Sequence, residues 1–300
     1  MSLSQQPQIS RNNNESLASS TTIKRIIGKI KPLGYLQFIE WAGKTDKHLG
    51  YVHIAAFHHP EHGACEAYVK LFRENTGKEI SNEVTAYLCA HALSVPQPQY
   101  AFVANIPLAR LRNPPRWIAA IAKTQAVLPG FCTTRLDGES AAVIVPGSKI
   151  QLIIDEVSKW ENIEQAIALD ENIAQTDRHL NNLIRLSRKK FALIDGGRLA
   201  AGENGECWSV TSLQSLQLYR NRLSECIWSH RPQQKSIAKM LVLAQYHVAS
   251  INVVHNELQY WWSQLLEPID AKAFNDFLVE RSAHIELLLR QRYRMLEWVQ

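Results

Sequence analysis

The sequence contains few cysteines and no arrangement that would pair them. Its five cysteines are odd in number and widely spaced, and none belongs to a C-x-x-C pair. A disulfide framework and a cysteine zinc site are therefore not expected, and the compartment is predicted to be reducing. The sequence also lacks an apolar run of about 18 residues and an N-terminal charged segment followed by an apolar core. These absences predict a cytoplasmic protein that does not contact a membrane.

A strongly basic segment is missing as well. The 33 lysines and arginines are spread among 28 acidic residues, the formal charge is +5, and no basic stripe with interleaved aromatic residues occurs. Direct binding of nucleic acid is therefore not expected. A mildly basic protein that handles an anionic nucleotide explains the charge more simply.

The first third of the sequence predicts a tail followed by a strand-rich region. Residues 1–22 are rich in Ser, Asn and Gln and have almost no large apolar side chains, a composition typical of disorder. The runs YVHIAAFHH and CEAYVKLFR predict the first clear strands, which form a hairpin across the turn HPEHGA. An amphipathic helix is predicted over EISNEVTAYLCAHALSV, with Ser81 or Asn82 as its N-cap, and a strand over PQYAFVANI.

The remainder is mainly helical, with one hairpin. After a Pro-Pro pair, RWIAAIAKTQAVL predicts a short helix, and a lobe boundary is placed at residue 126. A helix over SKWENIEQAIALDENIA precedes a polar loop, and NLIRL and KFALID predict a β-hairpin over residues 183–195. The pattern from Trp208 onward is helical and closes with one long helix, whose arginines, Arg281 among them, are expected to be solvated.

This order of elements predicts an α+β fold with two lobes. Residues 23–126 would form a small β-rich N-lobe with one key helix, and residues 127–300 a larger helical C-lobe. Strands, one helix, a further strand, a linker, a polar loop, a hairpin and a helical remainder follow each other in the same order in two-lobed kinases.

The polar loop AQTDRHLNNLIRL, residues 174–186, is the stretch that points to chemistry. Asp177 and Asn182 are five residues apart, and Asp195 ends the second strand of the predicted hairpin. Phosphoryl transfer from ATP requires metal ligands near the phosphates, a cation for the phosphate oxygens and a carboxylate for the acceptor. In protein kinases an Asp and an Asn at this spacing share one loop, and a second Asp follows on a strand pair.

The order Asp-Arg-His-x-x-Asn from Asp177 to Asn182 resembles the catalytic loop of HipA-like kinases, which include bacterial toxin components. It is also similar to the catalytic loop of phosphoinositide kinases. Ordinary protein kinases have the His before the Asp, whereas His179 follows Asp177. HipA-like chains also carry a strand Lys and an Asn-Glu dipeptide that opens a helix, which match Lys70 and Asn82-Glu83.

The resemblance implies a kinase that uses ATP and Mg²⁺ to phosphorylate a Ser or Thr of a protein substrate. It assigns Lys70 to the α- and β-phosphates and Glu83 to holding Lys70. Asp177 would orient the acceptor hydroxyl, while Asn182 and Asp195 would hold the metal. Because some relatives are toxins, an antitoxin-type partner is a further expectation.

Some positions in the motifs have two interpretations. Glu79 competes with Glu83 as the partner of Lys70. His179 either orients the catalytic loop or transfers protons. Arg178 is expected to be structural and to pair with an acid of the same lobe.

The nucleotide-covering loop is the least specific feature. Gly43 and Lys44, in AGKTDKHLGY, either contact phosphates through a loop of backbone N–H groups or belong to an ordinary polar turn. Gly196 follows Asp195 where a protein kinase has Phe. HHPEH, at residues 58–62, is expected to be an exposed polar tip rather than a metal site.

Two other functions remain open from the sequence. The first is a kinase whose acceptor is a lipid or small molecule, although no amphipathic membrane anchor is evident. The second is a non-catalytic module that uses a kinase fold for binding.

Overall fold

The computed structural model describes residues 25–42, 50–59, 61–144, 149–228 and 232–295. The predicted tail, residues 1–22, and the predicted nucleotide-covering residues Gly43 and Lys44 lie outside the described residues. The described residues form a β-rich N-terminal lobe and a helical C-terminal lobe.

Within the described residues, the N-terminal lobe contains a six-stranded sheet in the order β1-β5-β6-β4-β3-β2. β1 runs parallel to β5, and all other neighbouring strands are antiparallel. The elements of this lobe are β1 (Ile27–Ile30), β2 (Tyr35–Trp41), β3 (Gly50–His59), β4 (Gly63–Phe72), α1 (Thr76–Ala92), β5 (Ala101–Pro107), α2 (Arg116–Ile121) and β6 (Val127–Thr134).

The sheet is larger than the sequence predicted at both ends. β1 and β2 precede the hairpin that was predicted to come first. β6 begins at the end of the helix predicted over RWIAAIAKTQAVL and continues to Thr134, where no strand was predicted. A Cβ on Gly130 would lie 2.8 Å from Cδ2 of Leu71 and 3.0 Å from the carbonyl oxygen of Lys70, so β6 fits beside β4 at this point only because Gly130 has no side chain. The predicted boundary at residue 126 is therefore too early, because the N-terminal sheet continues to Thr134.

α1 lies between the sheet and the C-terminal helices. It begins at Thr76, after an N-cap at Asn75, and not near the predicted caps Ser81 or Asn82. All side chains from Glu79 to Ala90 are buried, so the helix is enclosed on all sides along this stretch and not amphipathic as predicted. The opposite face of the sheet is covered by the segment that contains α2, which packs Ile118 against the N-terminal core.

The C-terminal lobe combines a small sheet with a group of helices. Its elements are β7 (Glu139–Ser140), α3 (Ile150–Val157), α4 (Ile163–Asn172), β8 (Leu183–Ser187), β9 (Lys190–Leu193), α5 (Arg222–Ile227), α6 (Gln234–Ala244), α7 (His247–Leu265), α8 (Pro268–Ala283) and α9 (Ile285–Arg292). β8 and β9 form the hairpin predicted over residues 183–195. α4 is the central helix of this lobe, because its residues from Ala166 to Asn172 are all buried.

The predicted closing helix is two helices, α8 and α9, which meet at His284. Arg281 is fully buried and not solvated as predicted. Its guanidinium donates to the carbonyl oxygens of Glu171, Asn172, Ser215 and Gln217. The arginine therefore joins α8 to the end of α4 and to the chain before α5.

No single helix of the described residues is long and apolar enough to cross a membrane. α6 and α7 pass that test only as a pair, bent by 45°, on length and composition alone. All five cysteine side chains are free.

Candidate active site

Lys70 lies at the centre of a group of charged side chains between the two lobes. It projects from β4, and its Nζ donates to Oε1 of Glu83 at 2.6 Å and to Oδ1 of Asp195 at 2.9 Å. Desolvation opposes the charge on Lys70, but the carboxylates of Asp195 and Glu83 outweigh it and raise the pKa of the ammonium. Lys70 therefore stays protonated, held by one carboxylate from α1 and one from the chain after β9.

The two carboxylates are affected in opposite directions. Burial raises the pKa of Glu83, although Lys70 and the backbone N–H of Gly196 oppose this shift. Desolvation acts in the same sense on Asp195, yet the charge of Lys70 outweighs it and lowers the pKa of Asp195. The side chain of Asp195 is 50% exposed, so this carboxylate remains ionised and accessible to a cation from the cleft.

Glu79, the competing partner for Lys70, has a different role. Its Oε1 accepts a hydrogen bond from Nη1 of Arg198 at 3.3 Å. Burial raises the pKa of Glu79 to about 7, even though Arg198 opposes the shift. The structure therefore contains the predicted Lys70–Glu83 ion pair, and Glu79 instead fastens α1 to the chain beyond Asp195.

The two glycines after Asp195 allow this chain to approach α1 closely. A Cβ on Gly196 would lie 2.3 Å from Cβ of Ala86, and the N–H of Gly196 donates to Oε2 of Glu83 at 2.9 Å. Asp195 itself has a left-handed backbone with φ of 59°, a conformation that Asp tolerates better than most residues. A glycine at position 196 is thus required by the space beside α1.

Asn82 adds two hydrogen bonds to this attachment between α1 and the segment after Asp195. Its Nδ2 donates to the carbonyl oxygen of Gly197 at 2.9 Å, and its Oδ1 accepts from Nε1 of Trp208 at 2.8 Å. Asn82 is 1% exposed, so both amide atoms are paired in a buried environment. The Asn-Glu dipeptide therefore binds the segment after Asp195 through both of its side chains, although it lies inside α1 and does not open the helix.

The loop before β8 is held by a buried ion pair. Nε of Arg178 lies 2.9 Å from both carboxylate oxygens of Asp170 in α4, and Nη1 of Arg178 donates to the carbonyl oxygen of Ile194 at 2.7 Å. Both side chains of the pair are almost fully buried. The predicted structural role of Arg178 is confirmed, because the residue joins α4, the loop and the end of β9.

The same loop links Asp177 and Asn182 to Asp195. Nδ2 of Asn182 donates to the carbonyl oxygen of Asp177 at 2.9 Å, and the carbonyl oxygen of Asn182 accepts from the N–H of Ile194 at 3.0 Å. Gln175 accepts the N–H of Asp177 at 3.0 Å and donates to the carbonyl oxygen of Asp195 at 3.3 Å. These bonds place the two predicted metal ligands at neighbouring positions of one hairpin.

His179 is less integrated than its neighbours. Its side chain is half-buried, and Nδ1 is buried without a hydrogen-bond partner among the described residues. His179 also does not line the cleft described below. Whether it orients the loop or transfers protons stays a prediction.

A cleft of about 440 Å³ lies between the lobes, with Lys70 and Asp195 in its wall. Val52, Tyr68 and Phe131 of the N-terminal sheet line one side, and Ile184 and Leu193 of the β8–β9 hairpin line the other. Its size and its two apolar walls suit a flat aromatic group with a charged substituent. Asp177 and Asn182 lie beyond this lining. Gln175 connects Asp177 to Asp195, and Asn182 is connected through the N–H of Ile194.

Two kinds of site residue were missed at the level of sequence. Tyr68 precedes Lys70 by two positions on β4, so strand alternation places both on one face of the sheet, and this signal was available. Arg222 forms an ion pair with the carboxylate of Asp177. Arg222 follows Asp177 by 45 residues, and no local pattern connects the two.

The oxygen donors fit Mg²⁺ better than a metal bound by protein ligands alone. Among the described residues, no group of three or more His, Cys, Asp or Glu side chains could hold an ion. Mg²⁺ is usually bound by one or two carboxylates together with phosphates and water. The exposed carboxylate of Asp195 and the amide oxygen of Asn182 supply a partial set of this kind.

The polar tip at residues 58–62 is only partly exposed. His59 is 6% exposed, and its ring stacks on that of His62 with 4.4 Å between the ring centres. His62 in turn stacks on Tyr100. His59 and His62 therefore pack against an aromatic ring of the N-terminal lobe.

The comparisons with known proteins support the fold. No protein-family model matches the sequence, and no curated protein matches it. The structure is similar to that of a Helicobacter pylori proinflammatory kinase, CtkA, with a TM-score of 0.50 over 90% of this chain and 99% of that chain. The two sequences are 11% identical, so the likeness establishes the fold alone. The chain has the two-lobed α+β fold of a kinase.

Proposed function

We propose that this protein is a kinase that uses ATP and Mg²⁺ to phosphorylate a Ser or Thr of a protein. The observation that carries the proposal is the position of Lys70, fixed between Glu83 and Asp195 in the wall of a 440 Å³ cleft. The motif resemblance to HipA-like kinases supports the same function and is the basis for the protein acceptor.

Lys70 acts as the cation for the phosphates of ATP. Glu83 comes from α1, is 3% exposed and accepts a hydrogen bond from Lys70 at 2.6 Å. It would therefore hold the ammonium of Lys70 in place when Asp195 binds Mg²⁺. A charge that is held in a fixed position stabilises developing negative charge without reorganisation. Lys70 would therefore bind the α- and β-phosphates of ATP.

Asn182 and Asp195 hold Mg²⁺ in this mechanism. When bound, the metal neutralises phosphate charge and orients the γ-phosphate. Asn182 donates through Nδ2 to the carbonyl oxygen of Asp177, which leaves Oδ1 of its amide as the ligand. Asp195 supplies a carboxylate that the charge of Lys70 keeps ionised, because it lowers the pKa of Asp195.

Asp177 orients the acceptor hydroxyl. Its side chain is 42% exposed, and its backbone N–H and C=O are both hydrogen-bonded, to Gln175 and Asn182. The carboxylate therefore projects from a fixed backbone toward solvent, where a protein segment has access. Catalysis is mainly by positioning, since the loose transition state of phosphoryl transfer needs little covalent assistance.

Nucleotide binding is tested by calorimetric titration with ATP, with and without Mg²⁺. The wild type is expected to bind ATP, more tightly with Mg²⁺, and Lys70→Met to bind at least about tenfold more weakly, equivalent to ~1.4 kcal/mol. Lys239→Met is the matched control, because Lys239 also pairs with a glutamate but lies on α6. Equal affinity of the wild type and Lys70→Met would contradict the proposed site.

The acceptor class is tested with ATP labelled on its γ-phosphate in a cell extract. Label on phosphoserine or phosphothreonine of a protein supports the proposal. Label found only in the lipid or small-molecule fraction would support a kinase, but one whose acceptor is not a protein. ATP binding without any transfer would instead identify a non-catalytic kinase fold.

A further inference from the structure

Arg222 is the one side chain of the described residues that forms an ion pair with Asp177. Its Nη1 contacts Oδ1 of Asp177, and the two side chains are 40% and 42% exposed. Oδ2 of Asp177 has no hydrogen-bond partner among the described residues. The contact therefore engages one carboxylate oxygen and leaves the other accessible.

Arg222 is held in place by a buried anchor directly before it. Asn221 is 1% exposed, and its Nδ2 donates to the carbonyl oxygen of Ile167 in α4 at 2.9 Å. Its Oδ1 accepts the N–H of Ser224 at 3.0 Å, which caps α5. The backbone of Arg222 is thus fixed to α4, the helix that also holds the loop of Asp177 through Arg178 and Asp170.

With its backbone fixed, Asp177 keeps two side-chain torsions, about the Cα–Cβ and Cβ–Cγ bonds. Gln175 and Asn182 fix its backbone on both sides. Among the described residues, the ion pair with Arg222 is the polar contact that restrains these torsions. Because the planar guanidinium of arginine fixes a carboxylate better than a lysine ammonium can, the pair is well suited to set the direction of Oδ2.

We propose that Arg222 is a positioning residue for phosphoryl transfer, which holds Oδ1 of Asp177 so that Oδ2 receives the acceptor hydroxyl. The inference rests on the proposed kinase function and deepens it. Arg222 acts through Asp177 and makes no contribution to nucleotide binding. Its loss lowers kcat and leaves the affinity for ATP unchanged.

The test compares Arg222→Met, Arg222→Lys and Arg222→Ala with the wild type. Arg222→Met is expected to lower kcat by roughly 10-fold to 100-fold, the cost of a misplaced reacting group, with the dissociation constant of Mg²⁺-ATP unchanged. Arg222→Lys recovers part of the loss. Guanidinium chloride at a non-denaturing concentration partly restores Arg222→Ala, and sodium chloride at the same ionic strength does not.

Arg220→Met is the control. Arg220 lies two residues earlier, is 62% exposed and pairs with Glu225, so its loss removes a nearby charge without touching Asp177. Unchanged or increased kcat in Arg222→Met would overturn the inference, as would a loss of ATP affinity equal to the loss of kcat without rescue. A wild type that binds ATP but transfers no phosphate would overturn the proposed function, and this inference with it.

Discussion

The contact between Gly196 and Ala86 gives a sharp test of how the metal-binding segment is attached to α1. A Cβ on Gly196 would lie 2.3 Å from Cβ of Ala86, whereas carbon atoms in contact are normally about 3.5–4.0 Å apart. Gly196→Ala therefore requires α1 and the segment after Asp195 to separate by roughly 1.2–1.7 Å. Overpacking of this kind costs about 1–3 kcal/mol in the free energy of unfolding.

The separation also reaches the charged group. Ala86 lies one helical turn after Glu83, so a shift of α1 lengthens both the Glu83–Gly196 hydrogen bond of 2.9 Å and the Glu83–Lys70 pair of 2.6 Å. Because a displacement of about 1 Å can lower activity on the order of 100-fold, Gly196→Ala is expected to weaken ATP binding and to lower transfer. Urea unfolding measures the loss of stability, calorimetric titration the loss of ATP affinity, and labelled γ-phosphate the loss of transfer.

Ala86→Gly supplies the compensating change. Alone it costs about 1 kcal/mol, the helix penalty of glycine. With the Cβ of Ala86 removed, the next atoms are the Cα of Ala86 and Oε2 of Glu83, both at 3.7 Å, an ordinary contact distance. The double variant is expected to unfold like Ala86→Gly and to recover ATP affinity. If the losses in free energy of unfolding of the two single variants add in the double variant to within about 0.5 kcal/mol, the contact between Gly196 and Ala86 does not cause the destabilisation. That result would refute the reasoning.

Three further predictions concern the ion pairs and a buried histidine. Glu83→Gln is expected to weaken ATP binding about tenfold, ~1.4 kcal/mol, whereas Glu79→Gln leaves it unchanged because Glu79 contacts Arg198 and not Lys70. Arg178→Met leaves the buried carboxylate of Asp170 unpaired and is expected to lower the free energy of unfolding in urea by about 3–5 kcal/mol. Burial lowers the pKa of His247 to about 4 from 6.5, so the unfolded chain takes up the proton first as pH falls. Stability is then lost from about pH 6.5 down to pH 4, and His247→Leu should remove about 2 kcal/mol of the loss between pH 8 and pH 5.

Each of these predictions has a control or a contradicting result. Equal effects of Glu83→Gln and Glu79→Gln on ATP binding would show that the Lys70 pair is not used. Arg185→Met breaks the more exposed pair with Glu156 and should cost under about 1 kcal/mol; a cost as large as that of Arg178→Met would contradict the role of burial. An unchanged pH profile in His247→Leu would show that His247 does not titrate with unfolding.

The sequence was sufficient to group several of the candidate residues, and it was less informative about the strands around them. Asp177, Asn182 and Asp195 could be grouped because a loop and a short hairpin keep them close in both sequence and space. Lys70 and Glu83 could be paired because the strand and the helix that carry them are consecutive. Local order did not decide between Glu79 and Glu83, because both lie on α1, and only the structure shows that Glu83 pairs with Lys70.

The errors arose where contacts distant in sequence decide the structure. β2 is an edge strand with several exposed side chains, so it lacks a clean alternation of apolar and polar residues. β6 contains Pro129 and Gly130, which normally argue against a strand, and only its neighbour β4 explains the glycine. The start of the sheet and the lobe boundary were therefore wrong.

Buried polar side chains were the least predictable. The local sequence around Arg281 does not distinguish it from a solvent-exposed arginine, yet its guanidinium donates to four carbonyl oxygens. The contacts of Asn82 with Trp208 and of Arg222 with Asp177 likewise join residues far apart in the chain. Such pairs depend on tertiary structure, which a single sequence does not display.

Transfer of the labelled γ-phosphate of ATP in the presence of Mg²⁺ tests the central claim most directly. The wild type is compared with Asp177→Asn and Asp195→Asn, which keep the size of the side chains and remove their charge. The account predicts labelled protein with the wild type and loss of the label by at least about 100-fold in both variants. Equal labelling by all three proteins, or a wild type that binds no ATP, would contradict it.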